Sequence, residues 1–294
     1  MRYCHRFGRA IAMLGLAMTA LSQAALAQAE QCVSYGDQAW NGHDPYAQLP
    51  DADPHQRLNL DVWSVGSHWN GGWVNLCNHA GPESTWTFRA EWQVNGSIVQ
   101  AYPHVTRGWD WFHWLTQGSP GEGDFPVQVS NAGLYSNIQY DPKPLYGEFD
   151  VAYDIWLSDK PNPGPGDKLT EIMVWLNHGG GLLPLRNNGG YRGTMSLGNV
   201  NGTWSVYAGS MSSSYQGVQM HWPVYSYVST PAISHFDGHL QPFVWNAIHQ
   251  LQNQAKQSNQ MNDQWYVLGV QFGAEPVSGY GQLNAWYYAI QPGW

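Results

Sequence analysis

The chain has 294 residues with 21 Asp+Glu against 12 Lys+Arg, a formal charge of −9, and charged side chains at only 11%. An acidic chain this poor in cations is not expected to bind nucleic acid or an anionic membrane. Its 17 Trp, 17 Tyr and 33 Gly argue against disorder and for a β-rich protein with many turns.

Arg2, Arg6 and Arg9 precede an apolar run from Ala10 to Leu21, and Ala25-Leu26-Ala27 supplies a small-x-small cleavage pattern. Residues 1–27 are therefore expected to be a secretory signal, leaving one domain over residues 28–294 in an extracellular or periplasmic location. The run is too short to span a bilayer, so no membrane anchor is expected. Residues 1–27 carry three of the 12 Lys+Arg and none of the 21 Asp+Glu, so the remainder has a formal charge of 9 − 21 = −12. Cys4 leaves with the signal, and in an exported chain Cys32 and Cys77 most economically form one disulfide. The rival, a Cys/His metal site, has no CxxC or CxxH spacing.

Strand-like runs then recur between Gly, Pro, Asn and Asp clusters: Trp86–Val94, Gly147–Leu157, Thr170–Leu176, Thr203–Ala208, Trp265–Phe272 and Leu283–Ile290. That spacing predicts a single-domain sandwich or barrel. Between Arg107 and Val127, "RGWDWFHWLTQGSPGEGDFPV" sets Trp109, Trp111 and Trp114 ahead of a Gly/Pro/acidic turn. It reads either as a loop over a groove or as an ordinary connection with aromatics beneath it. Ser158–Lys168, with three prolines and two glycines, reads as a turn between antiparallel neighbours. "AGSMSSS" (Ala208–Ser214) reads as a polar loop, and "SHFDGHLQP", with His235 and His239, as a loop entering a helix. After Pro242, the helical spacing of Phe243, Val244, Ala247, Ile248 and Leu251 predicts one helix packed on the outside of the sheets. No internal repeat or linker marks an appended module.

Side chains alternate faces along a strand, and three strands place acids on the non-core face. In "GEFDVAYDIWL", Phe149, Val151, Tyr153, Ile155 and Leu157 share one face, and Glu148, Asp150, Ala152, Asp154 and Trp156 the other. In "EIMVWL", Ile172, Val174 and Leu176 face the core while Glu171, Met173 and Trp175 face away. In "WYVLGVQFGAEPVSG", Tyr266, Leu268, Val270 and Phe272 are the expected core face, with Val267, Gly269, Gln271, Gly273 and Glu275 opposite. If the turn is symmetric about positions 162 and 163, Asp154 lies opposite Glu171. Clustered carboxylates raise one another's pKa, so folding alone does not favour them. Glycosidic bond cleavage does, because one carboxylate must be ionised while another carboxyl stays protonated. Each acid alone reads as a solvated surface residue; the combination with export and abundant Trp, whose flat faces suit sugar rings, points to catalysis.

These segments resemble glycoside hydrolase family 12, the secreted endo-β-1,4-glucanases and xyloglucan hydrolases. The resemblance rests on "EIMVWL" (Glu171–Leu176), "FGAEPVSGYG" (Phe272–Gly281), "AYDIWL" (Ala152–Leu157) and "VQAYPHV" (Val99–Val105), supported by "GTWSVYAG", "YSYV" and "LDVW" (Leu60–Trp63). It implies a β-jelly roll of two curved antiparallel sheets with an open cleft on the concave face. It further implies a nucleophile at Glu171, a general acid/base at Glu275, an assisting acid at Asp154, and substrate contacts from Trp63 and Met173. Trp156, Trp175 and Gln271, on the same face, are further candidates for substrate binding. The family's N-terminal disulfide maps onto Cys32 and Cys77, no metal or organic cofactor is expected, and a monomer acting on β-glucan is implied. Trp69, Trp73, the Trp109–Trp114 loop, and His178 with the glycines after it depart from the pattern. A non-catalytic carbohydrate-binding jelly roll would not need two opposed glutamates. A metal hydrolase lacks HExxH, and a serine hydrolase lacks GxSxG.

Overall fold

A computed structural model describes residues 30–37, 44–51, 53–63, 69–78, 88–114, 124–185, 190–197, 200–255 and 260–293. The expected signal at 1–27 and the acidic turn after Trp114 lie outside the described residues.

The described residues form two sheets. The first runs β1 (Gln31–Gly36), β4 (Gly72–Asn78), β5 (Phe88–Asn95), β17 (Ser278–Gln291), β9 (Tyr135–Tyr146) and β15 (His235–His239). The second runs β12 (Gly190–Leu197), β13 (Val200–Tyr215), β14 (Val218–Thr230), β11 (Leu169–Gly179), β10 (Phe149–Ser158), β16 (Tyr266–Pro276), β6 (His104–Asp110), β3 (Arg57–Asn59) and β2 (Gln48–Pro50). Short β7 (His113–Trp114) joins β6, and β8 (Val127–Gln128) joins β16. Neighbours are antiparallel except β11 and β14, which run parallel over Glu171–Trp175 against Val224–Val228. Cys32 and Cys77 face each other across the β1–β4 ladder and are disulfide-bonded.

The alternation read from the sequence builds the core. Val151, Tyr153 and Ile155 of β10, Ile172, Val174 and Leu176 of β11, and Val270, Phe272 and Ala274 of β16 are buried together with Val74, Leu76, Phe88 and Ala90 of the first sheet. Each Val, Leu, Ile or Phe among them contributes about 1.5–3 kcal/mol on leaving water. The predicted helix runs from Gln241–Asn246 through a π-helical turn, Ala247–Leu251, to Gln252–Ala255, with Pro242 in its first turn. Phe243 meets Trp204 and Tyr227 edge-on, at 4.7 and 5.0 Å between ring centroids, so the helix packs onto residues of the inter-sheet core.

The structure departs from the sequence reading in three places. Asp154 pairs with Met173, and Trp156 with Glu171, so the hairpin is centred one residue later than a turn about 162 and 163 would put it. Asp167 fixes that centre: its carboxylate accepts the Gly164 N–H at 2.8 Å while its own N–H donates to the Gly164 carbonyl at 3.0 Å. The resulting offset is two residues, so every side chain keeps its face. Next, a bulge opposite Trp156 and Leu157 leaves Leu268 unpaired in the ladder. Val267 therefore joins the inter-sheet core while Leu268 turns to the other layer, the reverse of the simple alternation. Finally, "AGSMSSS" lies within β13, paired through Met211 with Trp222, and "HFDGH" is β15. Serines conceal the alternation in the first segment, and in the second the strand and the helix after it are separated only by Leu240.

Candidate active site

On its face away from the first sheet, the second sheet carries another buried layer. Trp156 of β10, Met173 and Trp175 of β11, Met220 and Trp222 of β14, and Trp109 of β6 pack together there. Into this aromatic floor the strands set four acids, Glu171, Asp154, Asp150 and Glu275, with exposures of 6%, 1%, 0% and 4%. Central β10 organises them: Asp154 stands opposite Met173 on one side and Gln271 on the other, while Asp150 stands opposite Glu275 and His178. Glu171 lies two positions from Met173, making it a diagonal neighbour of Asp154, within the roughly 7–8 Å reach of such pairs. Asp154 and Glu275, each named in the sequence reading, are thus joined by Asp150, which it placed on the correct face but did not single out. The alternation in "GEFDVAYDIWL" was the signal available.

The four carboxyls differ electrostatically. Burial pushes Glu171 up to about 7, and a hydrogen bond from Trp222 opposes that rise. The donor is the Trp222 indole N–H, 2.7 Å from Glu171 Oε2. Glu275 is driven well above the usual carboxyl range by burial and then by the charge and hydrogen bonding of Asp150. Burial raises both Asp154 and Asp150; the charge of Glu171 adds most to the rise of Asp154, whereas for Asp150 a hydrogen bond with Glu275 opposes the rise and the charges of Asp154 and Glu171 add to it. Glu171 is therefore the member of the set most readily ionised, and Glu275 keeps its proton at higher pH.

Gln271 spends its amide inside the protein: its Nε2 donates to Asp110 Oδ1 at 2.7 Å, and its Oε1 accepts the Trp156 indole N–H at 3.2 Å. It thereby braces Trp156. Asp110 also accepts from Asn59 Nδ2 and stands 3.6 Å from His104 Nε2. Although burial alone would raise Asp110 and lower His104, their mutual pairing reverses both shifts, favouring an ionised carboxylate and a protonated imidazole. Beyond them, Trp63 is 45% exposed, and its indole N–H donates to Asp61 Oδ2 at 2.6 Å. Burial, followed by the charge of Asp110, pushes Asp61 up to about 7.

The departures noted in the sequence also find places. Trp111 and Phe112 adopt φ of 42° and 66°, a left-handed turn uncommon outside glycine that directs Trp111 edge-on to Trp156 and Trp222. Phe112 stacks on Tyr215 at 4.8 Å, and the Trp114 indole donates to Asn162 Oδ1 at 2.9 Å. This segment is thus part of the site's wall. Trp69 meets Tyr35 edge-on at 5.0 Å and packs on the inter-sheet core. His178, on the face of Asp150 because a bulge skips Leu176, lines a depression of about 740 Å³ with Tyr146, Glu148 and Asn177. Among the described residues the one grouping of three metal-ligand side chains is Glu30, Cys32 and Cys77, whose thiols are consumed by the disulfide.

Buried, unequal carboxyls on an aromatic floor of a two-sheet sandwich define a jelly-roll glycosidase. The sequence profile of glycosyl hydrolase family 12 matches residues 114–291, and the chain belongs to that family. Endoglucanase S of Pectobacterium parmentieri is 31% identical over 219 residues, covering 72% of this chain and 73% of that protein. A xyloglucan-specific endo-β-1,4-glucanase A from Emericella nidulans is 25% identical over 221 residues, covering 75% and 68%. The native family 12 xyloglucanase from Bacillus licheniformis superposes with a TM-score of 0.69 at 25% identity, over 88% of this chain and all of that one.

Proposed function

We propose that the protein is an exported, monomeric, retaining endo-glycosidase that cleaves the β-1,4-glucan backbone of cellulose, mixed-linkage glucan or xyloglucan. The relatives named as endoglucanase and xyloglucan-specific glucanase support this substrate class. Export is supported by the leader pattern at 1–27 and by the Cys32–Cys77 disulfide.

The observation that carries the mechanism is the inequality of the two glutamates. Glu171, with the lower pKa and an indole N–H on its oxygen, is suited to attack the anomeric carbon as a carboxylate. Glu275, held protonated beside Asp150, is suited to give its proton to the departing glycosidic oxygen. The first displacement forms the Glu171–sugar ester and breaks the glycosidic bond. In the second, Glu275 takes a proton from water, and the resulting hydroxide equivalent opens the ester. Such a pair works at a carboxyl separation of about 5–5.5 Å. Asp154, raised further than Glu171, keeps its proton while Glu171 is ionised and so leaves the nucleophile's charge unopposed. Trp63 is the exposed platform for a sugar ring, and Met173, Trp156 and Trp175 floor the cleft, with Gln271 bracing Trp156.

The deciding experiment measures reducing-end release by residues 28–294 on xyloglucan, barley β-glucan and carboxymethylcellulose, with Glu171→Gln as control. Release abolished in the control supports the assignment; equal release from both proteins, or none from either, refutes it. Trp222→Phe tests the electrostatics. Hydrogen bonds to a charged group are worth about 1.5–3 kcal/mol, so losing this one should raise the acidic limb of the kcat/KM profile by about one pH unit or more. An unmoved limb would show that Trp222 does not stabilise the ionised nucleophile.

A further inference from the structure

Asp61 occupies a position the reaction scheme leaves unused. The residue has φ of 44°, in the left-handed region that Asp enters more readily than most side chains. Around it the chain is fastened: Val62 bridges Ala101, the Tyr102 N–H donates to the Asp61 carbonyl at 2.8 Å, and the Trp63 N–H donates to the Gln100 carbonyl at 3.1 Å. Backbone bonds therefore fix where Trp63 begins but leave its side-chain torsions open. Among the described residues the polar anchor on the ring itself is Asp61 Oδ2, 2.6 Å from the indole nitrogen. On its other flank the ring tilts against Tyr102, 6.1 Å between centroids, and Tyr102 in turn stacks on His104 at 4.5 Å and donates its hydroxyl to the Ala152 carbonyl at 3.2 Å. Ala152 lies between Asp150 and Asp154, so this chain of contacts runs from the exposed ring to the strand bearing the acids.

Behind Asp61 the charges are also ordered. His104 Nδ1–H donates to the Tyr102 carbonyl at 2.6 Å, which turns Nε2 toward Asp110, itself held by Asn59 and Gln271. The charge of the buried imidazole favours both Asp61 and Asp110, which come from different segments, and so offsets the repulsion between them.

We propose that Asp61 is a positioning residue that fixes the angle of the Trp63 ring, and so the seat of the sugar stacked on it. This rests on the reading of Trp63 as a sugar platform. A stacked sugar gains from a ring already at the right angle, because the rotamer entropy is then lost before binding and not during it. The residue acts on binding, and the chemical step takes place farther along the cleft.

The test uses Asp61→Gly, which removes the carboxylate while accepting the positive φ, beside Asp61→Asn, which keeps an acceptor oxygen, and Trp63→Ala. Steady-state kinetics on barley β-glucan and thermal melts are read for each. Asp61→Gly should raise KM by about tenfold with kcat within twofold. Asp61→Asn should return KM to within about twofold of the parent, which a merely structural loss would not do. A tenfold rise in Trp63→Ala without one in Asp61→Gly would overturn the inference and leave the platform standing. No rise in Trp63→Ala would remove the platform and Asp61's role together. A fall in kcat at constant KM in Asp61→Gly would also overturn it, because Asp61 would then act through the charges of Glu275 and Asp154.

Discussion

Glu171→Gln should lower turnover by about 10⁴-fold or more, and Glu275→Gln by about 10²–10⁴-fold, with neither change disturbing the fold. Each exchange is isosteric, and glutamine suits both positions in a floor that already penalises a charge. Loss of activity alone does not distinguish nucleophile from acid, but azide does. In Glu171→Ala, azide can take the vacated space, form the bond to the anomeric carbon directly and release an aryl leaving group, giving an inverted α-glycosyl azide. In Glu275→Ala the ester on Glu171 still forms with a good leaving group, and azide then displaces it to give the β anomer. Product stereochemistry by NMR reads the two roles separately. The β-azide from Glu171→Ala, or no rescue of either variant, would exclude the proposed assignment.

The sequence was legible where one side chain decides the outcome. Alternation along "GEFDVAYDIWL" and "EIMVWL" separated the inter-sheet core from the acid-bearing face, and the structure reproduces that separation residue by residue from Phe149 to Leu157 and from Ile172 to Leu176. It failed where backbone geometry inserts a residue. The bulge that leaves Leu268 unpaired is built from ladder hydrogen bonds with β10, and "WYVLGV" carries no glycine or proline at 267 or 268 to announce it. The serine-rich second half of β13, beyond Ala208, was missed because its partner, the Trp222 strand, supplies the hydrophobic half of the pairing. Within the site, residues that act by facing another strand were the hardest to read. Trp222 lies 51 positions from Glu171, and Asp110 lies 161 from Gln271, so no local spacing links them. Asp61, two residues before Trp63 in "LDVW", was within local reach, and a carboxylate beside an exposed indole is the pattern that would have found it.

The acid cluster should also make the protein less stable as pH rises, opposite to the usual behaviour of paired carboxylates. Glu171 has a folded-state pKa of about 7 against an ordinary value of 4.5, so the fold favours its protonated form. The stability associated with that preference is complete below about pH 4.5 and is lost as pH climbs through 7. At 1.36 kcal/mol per unit this is about 3 kcal/mol from Glu171 alone. For a domain of this size that corresponds to a fall in Tm of roughly 6 °C. Glu275, Asp154 and Asp150, raised by burial, act in the same direction, as does His104, raised by Asp110. Asp110 and Asp167, both lowered by their partners, have the opposite sign and act only as pH falls into the carboxylate range. Calorimetric melts from pH 4.5 to 8.5 should therefore show Tm falling on the alkaline side. Glu171→Gln cannot ionise, so the inactive variant should melt above the parent at pH 8 and close to it at pH 4.5. A parent Tm that is flat or rising between pH 5 and 8, or a variant that melts below the parent at pH 8, would mean that Glu171 is solvated well enough to ionise freely. The electrostatic division of labour between the two glutamates would then lose its basis.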